Sequence, residues 1–334
     1  MFNRSAFFVL LLVDIISGER RRLMRKSCAS ILSLSIAVSL SSGSAGAQQV
    51  VDPDFKLRVE KPAYRQGYGP LVLVDGGHYN FHTAGERYSP FAELLRRDGY
   101  RVGGSTRPFT KDALRGVRVL VIANALAEQN LNNWSLPTPS AFTDEEVAVV
   151  REWVKKGGSL LLIADHMPMP GAAGNLAAAF GIRMNNGFAL VEQTLDGNLT
   201  FRRSDGSLAE HPITKGRTPV ERVDSVATFT GSAFQADAKA RPLLIFRAGM
   251  VSLMPTTAWE FTPQTPRVSV EGWLQGAVLN YGKGRVAVFG EAAMFTAQLA
   301  GTERRRVGMN AANAPHNAQF LLNVMRWLSG SLKS

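Results

Sequence analysis

The sequence has almost no cysteine. Its single cysteine, Cys28, lies in a segment that we expect to be removed, so the remaining chain would carry no thiol. That absence excludes disulfide bonds, thiolate metal ligands and a cysteine nucleophile from the remaining chain. Its stability would therefore have to come from a packed core.

Long apolar runs are confined to the N-terminal region. Basic residues from Arg20 to Lys26 precede an apolar run from Ile31 to Leu40, which is too short to cross a bilayer as a helix. Ala45-Gly46-Ala47 then fits a signal-peptidase site. We therefore predict a signal peptide over residues 1–47, and a periplasmic or secreted location.

The export signal allows two interpretations. Met24 is followed by two basic residues and would itself begin a well-proportioned signal, which favours Met24 as the true start. Arg20-Arg21-Arg22 resembles a twin-arginine signal, which would indicate export after folding. A start at Met24 would remove that motif, so the choice between general secretion and twin-arginine export stays open.

Clustered basic charge is also scarce, although 38 Lys and Arg against 27 Asp and Glu give a formal net charge of +11. The basic residues are dispersed apart from Arg202-Arg203 and Arg304-Arg305-Arg306, and no aromatic residues alternate with them. This favours a solvated surface over nucleic-acid binding. We predict a small-molecule or carbohydrate ligand, no nucleic-acid partner and no membrane-spanning segment, with the oligomeric state undefined.

Short apolar runs at 71–75, 117–123 and 159–164 alternate with stretches that are typical of helices. The pattern predicts an α/β fold with an open, mostly parallel sheet flanked by helices. We expect a lead-in over 48–69 and a single domain over 70–330, in which about 182–270 forms an irregular β-rich extension.

Polar side chains follow the ends of several predicted strands. Ligands of open parallel sheets bind outside the carboxyl ends of the strands, so we expect a site there. The residues that we assign to catalysis are Asp75, Asn124, Asp165 and Glu291, and the candidate metal ligands are His78, His82, Asp165 and His166.

The chemistry of this set has three interpretations. His78 and His82 would share one face if their loop began a helical turn, and with Asp165 and His166 they would suit a divalent metal, zinc before others. The same residues could do acid/base work without a metal, or be purely structural. No Gly-x-Ser-x-Gly motif is present, which disfavours a serine hydrolase.

Several motifs resemble those of the class I glutamine amidotransferase-like superfamily, and within it those of a secreted family known as a domain of unknown function. They are Asp75-Gly76-Gly77-His78, Gly157-Gly158-Ser159 leading to Asp165-His166, His211-Pro212-Ile213-Thr214, Gly282-Lys283-Gly284-Arg285 leading to Gly290-Glu291, and Asn317-Ala318-Gln319-Phe320. The resemblance covers most of residues 70–330 and implies a flavodoxin-like α/β fold. It does not imply glutaminase activity, because Asp165-His166 stands where amidotransferases carry the catalytic cysteine.

The resemblance also introduces carbohydrate, since relatives of this fold include trehalose-utilisation-like proteins and non-catalytic modules of sugar enzymes. Our leading hypothesis is an exported hydrolase of unknown substrate, metal-assisted or acid/base. The rival is a module that binds an envelope glycan or small ligand without turnover. A structural partner in an envelope complex is a third interpretation.

Overall fold

The structure is a computed structural model that describes residues 49–333. The predicted signal peptide lies outside the described residues. The strands are β1 (Gln49–Val51), β2 (Leu71–Asp75), β3 (Arg101–Ser105), β4 (Val117–Ala123), β5 (Ser159–Ile163), β6 (Ile182–Met184), β7 (Phe188–Val191), β8 (Leu199–Arg202), β9 (Ser225–Thr228), β10 (Phe234–Ala236), β11 (Arg241–Ile245), β12 (Met250–Leu253), β13 (Arg267–Ser269), β14 (Leu274–Tyr281), β15 (Gly284–Phe289), β16 (Ala297–Ala300) and β17 (Arg305–Gly308). The helices are α1 (Ser89–Arg97), α2 (Asp144–Lys155), α3 (Met169–Ala178), α4 (Pro212–Lys215) and α5 (Asn317–Ser329), with 3-10 turns at Glu128–Asn130, Pro219–Glu221 and Ala293–Phe295.

The main sheet has nine strands in the order β3-β2-β4-β5-β15-β14-β10-β6, with β11 also paired to β14. From β3 to β15 every pairing is parallel, and the pairings beyond β15 are antiparallel. The prediction of a parallel sheet is therefore confirmed for one half only, and the whole sheet is mixed. The change of direction comes from the hairpin β14–β15, whose turn uses Gly282 at φ +59°.

Helices cover both faces of the parallel half. Leu120 and Ile122 of β4 belong to one core with residues of α2 and α3, whereas Val119 and Val121 belong to another with α1 and α5. This alternation follows from the period of two along a strand, which turns successive side chains to opposite faces. Continuous apolar runs such as the one in β4 are therefore buried on both sides.

The helices α1 and α2 begin in different ways. Thr143 and Glu146 form a capping box at the start of α2. Ser89 is the first residue of α1, and Tyr88 occupies its N-cap position without a side-chain bond to the helix. The Tyr88 hydroxyl donates to the carbonyl of Ala292 at 3.0 Å, which connects α1 to the end of β15.

The chain between 182 and 270 is rich in strands, but three of them complete the main sheet: β6, β10 and β11. The remainder forms the small sheet β13-β12-β7 and the pair β8-β9. A third small sheet, β1-β16-β17, joins the N-terminal strand to the chain that follows β15. Within residues 49–333, no helix has the length and apolar character needed to span a membrane.

Candidate functional site

The strand registers bring distant residues to one edge of the sheet. Ala123 of β4 pairs with Ile163 of β5, and Ile163 pairs with Phe289 of β15. The residues one or two positions beyond these partners are therefore neighbours. Asn124, Asp165 and Glu291 meet at this edge although they are far apart in the sequence.

These strand ends form part of a cleft of about 770 Å³. Five of the predicted site residues line it: His82, Asn124, Asp165, His166 and Glu291. The rest of the wall is Gln49, Phe81, Arg87, Trp134, Met169, Phe229, Thr230, Trp259, Ala293, Ala300, Arg305 and Val307.

Asn124 orients two of its neighbours. Its Oδ1 accepts the backbone N–H of Asp165 at 2.9 Å, so its amide nitrogen must point the other way, toward His82 Nδ1 at 3.2 Å. Asn124 holds φ +53°, a conformation that Asn tolerates better than most residues. Because the amide nitrogen can only donate, His82 Nδ1 must accept, and a neutral His82 carries its proton on Nε2.

His82 is neutral over the ordinary pH range. Burial lowers the pKa of His82 to about 3, assisted by the charges of Arg87 and His166. The ring also lies 4.8 Å from the ring of Tyr88 and 5.4 Å from that of Phe81, measured between centroids. His82 therefore offers the cleft a fixed N–H donor rather than a positive charge.

His166 has the opposite tautomer. Its Nδ1 donates to the carbonyl of Met167 at 2.8 Å, so a neutral ring keeps its lone pair on Nε2. The ring stacks on Phe188 with centroids 4.5 Å apart and meets Trp259 edge-on at 4.6 Å. These contacts fix the plane of the imidazole, and Nε2 has no hydrogen-bond partner among residues 49–333.

Asp165 and Glu291 form a buried carboxyl pair. Burial raises the pKa of Asp165, although His166 and hydrogen bonds oppose the effect. Burial and then the charge of Asp165 raise the pKa of Glu291 well above its usual value. Two carboxyl groups in one dry site do not readily ionise together, so the pair keeps a proton to higher pH than a solvated carboxyl group.

The two carboxyl groups have different exposure to the cleft. Glu291 is fully buried, and its oxygens accept the backbone N–H groups of Ala293 at 2.9 Å and Met294 at 2.7 Å. Asp165 is 8% exposed, and its Oδ1 accepts the N–H of His166 at 2.9 Å. Gly231 allows this packing, because a Cβ there would lie 2.9 Å from the Cβ of Glu291. Asp165 is thus the member that a ligand reaches.

Asp75 and His78 do not line the cleft, which corrects two of the predicted assignments. His78 Nδ1 binds the Asp75 carboxylate at 2.9 Å, and Nε2 binds Glu146 Oε1 at 3.0 Å. The loop bends back on itself instead of beginning a helical turn, so His78 and His82 do not share a face. The buried bridge from Asp75 through His78 to Glu146 ties the end of β2 to the start of α2.

The predicted set of four metal ligands is not assembled. Both ring nitrogens of His78 are already bound, and Nδ1 of His82 and of His166 also have partners. Within residues 49–333, no three or more His, Cys, Asp or Glu side chains are grouped so that they could hold a metal ion. The prediction of His78, His82, Asp165 and His166 as one metal site is therefore wrong.

Several cleft residues were not assigned from the sequence. Arg87, on the segment before α1, lies over the ring of Phe81, and Phe188 supports His166 from the small sheet. Their sequence positions carry no motif, because their place in the cleft depends on long-range packing. Trp134 and Trp259 had only the general tendency of tryptophan to stack on ligands as a signal.

The neutral state of His82 has a measurable consequence for stability. Between pH 6.5 and about 3 the unfolded chain protonates this histidine and the folded chain does not, so stability falls as the pH is lowered. In the variant His82→Asn, which keeps an acceptor for Asn124, we expect the loss between pH 7 and pH 4 to be smaller by on the order of 2–3 kcal/mol. Urea unfolding across this range measures it. Equal pH slopes in wild type and variant, with His316→Asn as the control, would contradict a neutral buried His82.

A scan against protein-family models gives no match, and neither does a search of curated proteins. Among solved structures, the chain is similar to the N-terminal domain of mmIFT52, with a TM-score of 0.54 and 14% identity over 78% of this chain and 97% of that one. It is also similar to a protein described as ThuA-like from Bacteroides uniformis, with a TM-score of 0.44 and 13% identity over 82% of this chain and 94% of that one. At such identities the likeness concerns the fold alone. The fold and cleft together define a mixed-sheet α/β protein with a polar site at the carboxyl ends of its parallel strands.

Proposed function

We propose that this protein is a hydrolase that works by acid/base catalysis in the cleft. The observation that carries the proposal is the meeting of a carboxyl pair of raised pKa, Asp165 with Glu291, and a histidine whose Nε2 is unbonded, His166. An acid and a base with separated proton affinities in one site are what hydrolysis without a covalent nucleophile requires.

In the proposed reaction, His166 Nε2 takes a proton from water as the water oxygen bonds to the electrophilic atom of the substrate. Asp165, whose raised pKa favours its protonated form, gives its own proton to the leaving oxygen as the bond to that oxygen breaks. The proton on His166 then returns to the carboxylate through solvent, which restores both groups. His82 Nε2–H would hold a substrate oxygen, in accordance with the tautomer that Asn124 imposes.

A panel of chromogenic glycosides and carboxylic esters tests the proposal. We expect turnover by the wild-type protein, and a decrease of about 100- to 10,000-fold in His166→Gln. The control is His316→Gln, because His316 binds Ser225 outside the cleft. Activity that is the same in His166→Gln as in the wild type would refute the assignment of the base.

The second candidate function is ligand binding without turnover. It is favoured by the aromatic wall of the cleft, where Trp259 is 54% exposed and Trp134 lies close to His166. Exposed tryptophans at a cleft suit the apolar faces of sugar rings. A ligand that raises the unfolding temperature while no member of the panel is hydrolysed would favour this function over the hydrolase.

We also propose that the fold is of the class I glutamine amidotransferase-like kind, supported by the motif residues. Asp165-His166 follows β5 at the corner position, Gly282-Lys283-Gly284-Arg285 spans the β14–β15 turn, and Asn317 begins α5.

Export remains a proposal from the sequence, and the N-terminal residue of the protein recovered from cells tests it. A mature chain beginning at Gln48 is expected, and an uncleaved N-terminus would contradict it.

A further inference from the structure

We propose that the cleft selects acidic sugars, and that Arg87 is the specificity-determining residue that binds their negatively charged group. This inference rests on the proposed function in one respect only, namely that the same cleft is the ligand site. It adds the charge and the ring character of the ligand, and it assigns a role to a residue that takes no part in the proposed proton transfers.

Arg87 is held in place by Phe81. The carbon of its guanidinium group lies 3.9 Å from the centroid of the Phe81 ring, and Nη1 donates to the Phe81 carbonyl at 3.4 Å. Phe81 is itself fixed, because its backbone N–H donates to the carbonyl of Asn124 at 2.9 Å. Asn124, which also orders His82 and Asp165, therefore orients the Arg87 guanidinium group through Phe81.

Arg87 is half-buried, and its charge lacks a counter-ion among the described residues. No carboxylate of residues 49–333 lies within ion-pair distance of Arg87, and its buried Nε has no hydrogen-bond partner. By contrast, the half-buried Arg203 and the buried Arg326 are paired with carboxylates, and the half-buried Arg285 donates to two backbone carbonyls. Burial lowers the pKa of Arg87, which shows that its surroundings disfavour the positive charge. A ligand anion would remove this cost and accept hydrogen bonds from the guanidinium group.

The charge balance of the cleft also favours an anion. Arg305 lines the same cleft and forms no ion pair with a described residue. The facing carboxyl groups of Asp165 and Glu291 oppose this charge less than two free carboxylates would, because the pair retains a proton. The two arginines therefore face a weakened opposing charge, which favours an anionic ligand.

The ring character of the ligand follows from the aromatic wall. Trp134 and Trp259 both lie close to the His166 ring, with centroids 6.0 and 4.6 Å from it. Trp259 holds φ +71°, which a bulky residue adopts only when its surroundings require it. A compact anion would leave this wall unused, whereas a sugar ring that carries a carboxylate or a phosphate would contact both tryptophans and Arg87.

Titration of the full mature chain with matched sugars tests the proposal, using calorimetry or tryptophan fluorescence. The probes are glucuronate and glucose 6-phosphate, with glucose as the neutral match and inorganic phosphate as the anion without a ring. We expect at least one acidic sugar to bind about tenfold or more tightly than both glucose and phosphate. In Arg87→Gln this preference should disappear, in Arg87→Lys it should be partly kept, and in Arg58→Gln, a change at an exposed arginine, it should be unchanged.

The proposal would be overturned by equal affinity for glucuronate and glucose, by a preference that survives Arg87→Gln in a folded protein, or by no binding of either acidic sugar at millimolar concentration. Binding of phosphate as tight as that of the acidic sugars would also overturn it, since the ring would then contribute nothing. The test is separable from that of the hydrolase. In His166→Gln the preference for acidic sugars should persist while turnover is lost, and absence of turnover in the wild type would leave the binding result standing.

Discussion

The substitution Asp165→Asn is expected to lower turnover by about 100- to 10,000-fold while leaving ligand binding largely intact. The amide keeps an oxygen that can accept the N–H of His166, now accepted by Oδ1 at 2.9 Å, so the local backbone should be preserved. What is lost is the acidic proton that the leaving group needs. The measurement is kcat on any substrate found in the panel, together with the pH profile of kcat.

The same substitution should stabilise the fold at neutral pH. Because the pKa of Asp165 is raised in the folded state, the folded protein binds this proton more tightly than the unfolded chain does. That contribution is present at low pH and is lost as the pH rises from the usual carboxyl range through the raised pKa. The amide side chain of the variant is neutral at every pH, so the variant does not lose this contribution as the pH rises. Decreased turnover with a higher midpoint of unfolding at pH 7 is therefore the expected combination.

The matched control for Asp165→Asn is Asp112→Asn. Asp112 is exposed and paired with Arg115 on the surface, so its replacement should change neither turnover nor stability by a large amount. A decrease in turnover accompanied by a lower midpoint of unfolding in Asp165→Asn would instead indicate a structural role for this carboxyl group. Unchanged turnover would remove Asp165 from the mechanism.

The substitution Arg326→Met is expected to destabilise the protein by about 3–5 kcal/mol. Arg326 is 1% exposed and lies on α5, where its guanidinium group binds Asp98 Oδ1 at 2.7 Å and Glu221 Oε1 at 3.0 Å. Methionine has a similar length but no charge, so the buried carboxylate of Asp98 would lose its cation. Burying a charge without a partner is what makes the loss large.

Urea unfolding of Arg326→Met measures this loss, with Arg183→Met as the control. Arg183 and Asp237 form an exposed pair at 3.5 Å, for which we expect a change below about 1 kcal/mol. The double substitution Asp98→Asn with Arg326→Met should cost less than the sum of the two single changes, because each removes the same interaction. A loss in Arg326→Met no larger than that of the surface control would contradict a buried ion pair between α5 and the end of α1.

The parallel strands and the edge that holds the site were predictable because their signals are local. Short apolar runs identify β2, β4 and β5, and the residue after each strand end is read directly from the sequence. The antiparallel half of the sheet was not predictable in this way. Its strands β6 and β10 have only three residues each, and they are placed by pairing, β10 with β14 and β6 with β10, rather than by any pattern of their own.

The site was predictable in its members but not in its connections. His78 was grouped with His82 because they are four positions apart, but the partner that decides its place is Glu146, 68 residues away. Likewise Arg87 enters the cleft through its contact with Phe81, which depends on the loop geometry. Hydrogen bonds between residues so far apart in the sequence depend on the folded backbone, and a single sequence does not predict them.

Asp165 and Glu291 both keep their protons to higher pH than solvated carboxyl groups do, beside a neutral His82 in the cleft. Carbon-13 NMR of the side-chain carboxyl groups, titrated between pH 3 and 9 in the wild type and in Asp165→Asn, tests it most directly. We predict that at least one carboxyl of the pair titrates well above the usual range for Asp and Glu, about 3.9–4.3, and that Asp165→Asn moves the titration of Glu291 downward. Ordinary titration of both groups in the wild type, or no movement of Glu291 in the variant, would contradict the account.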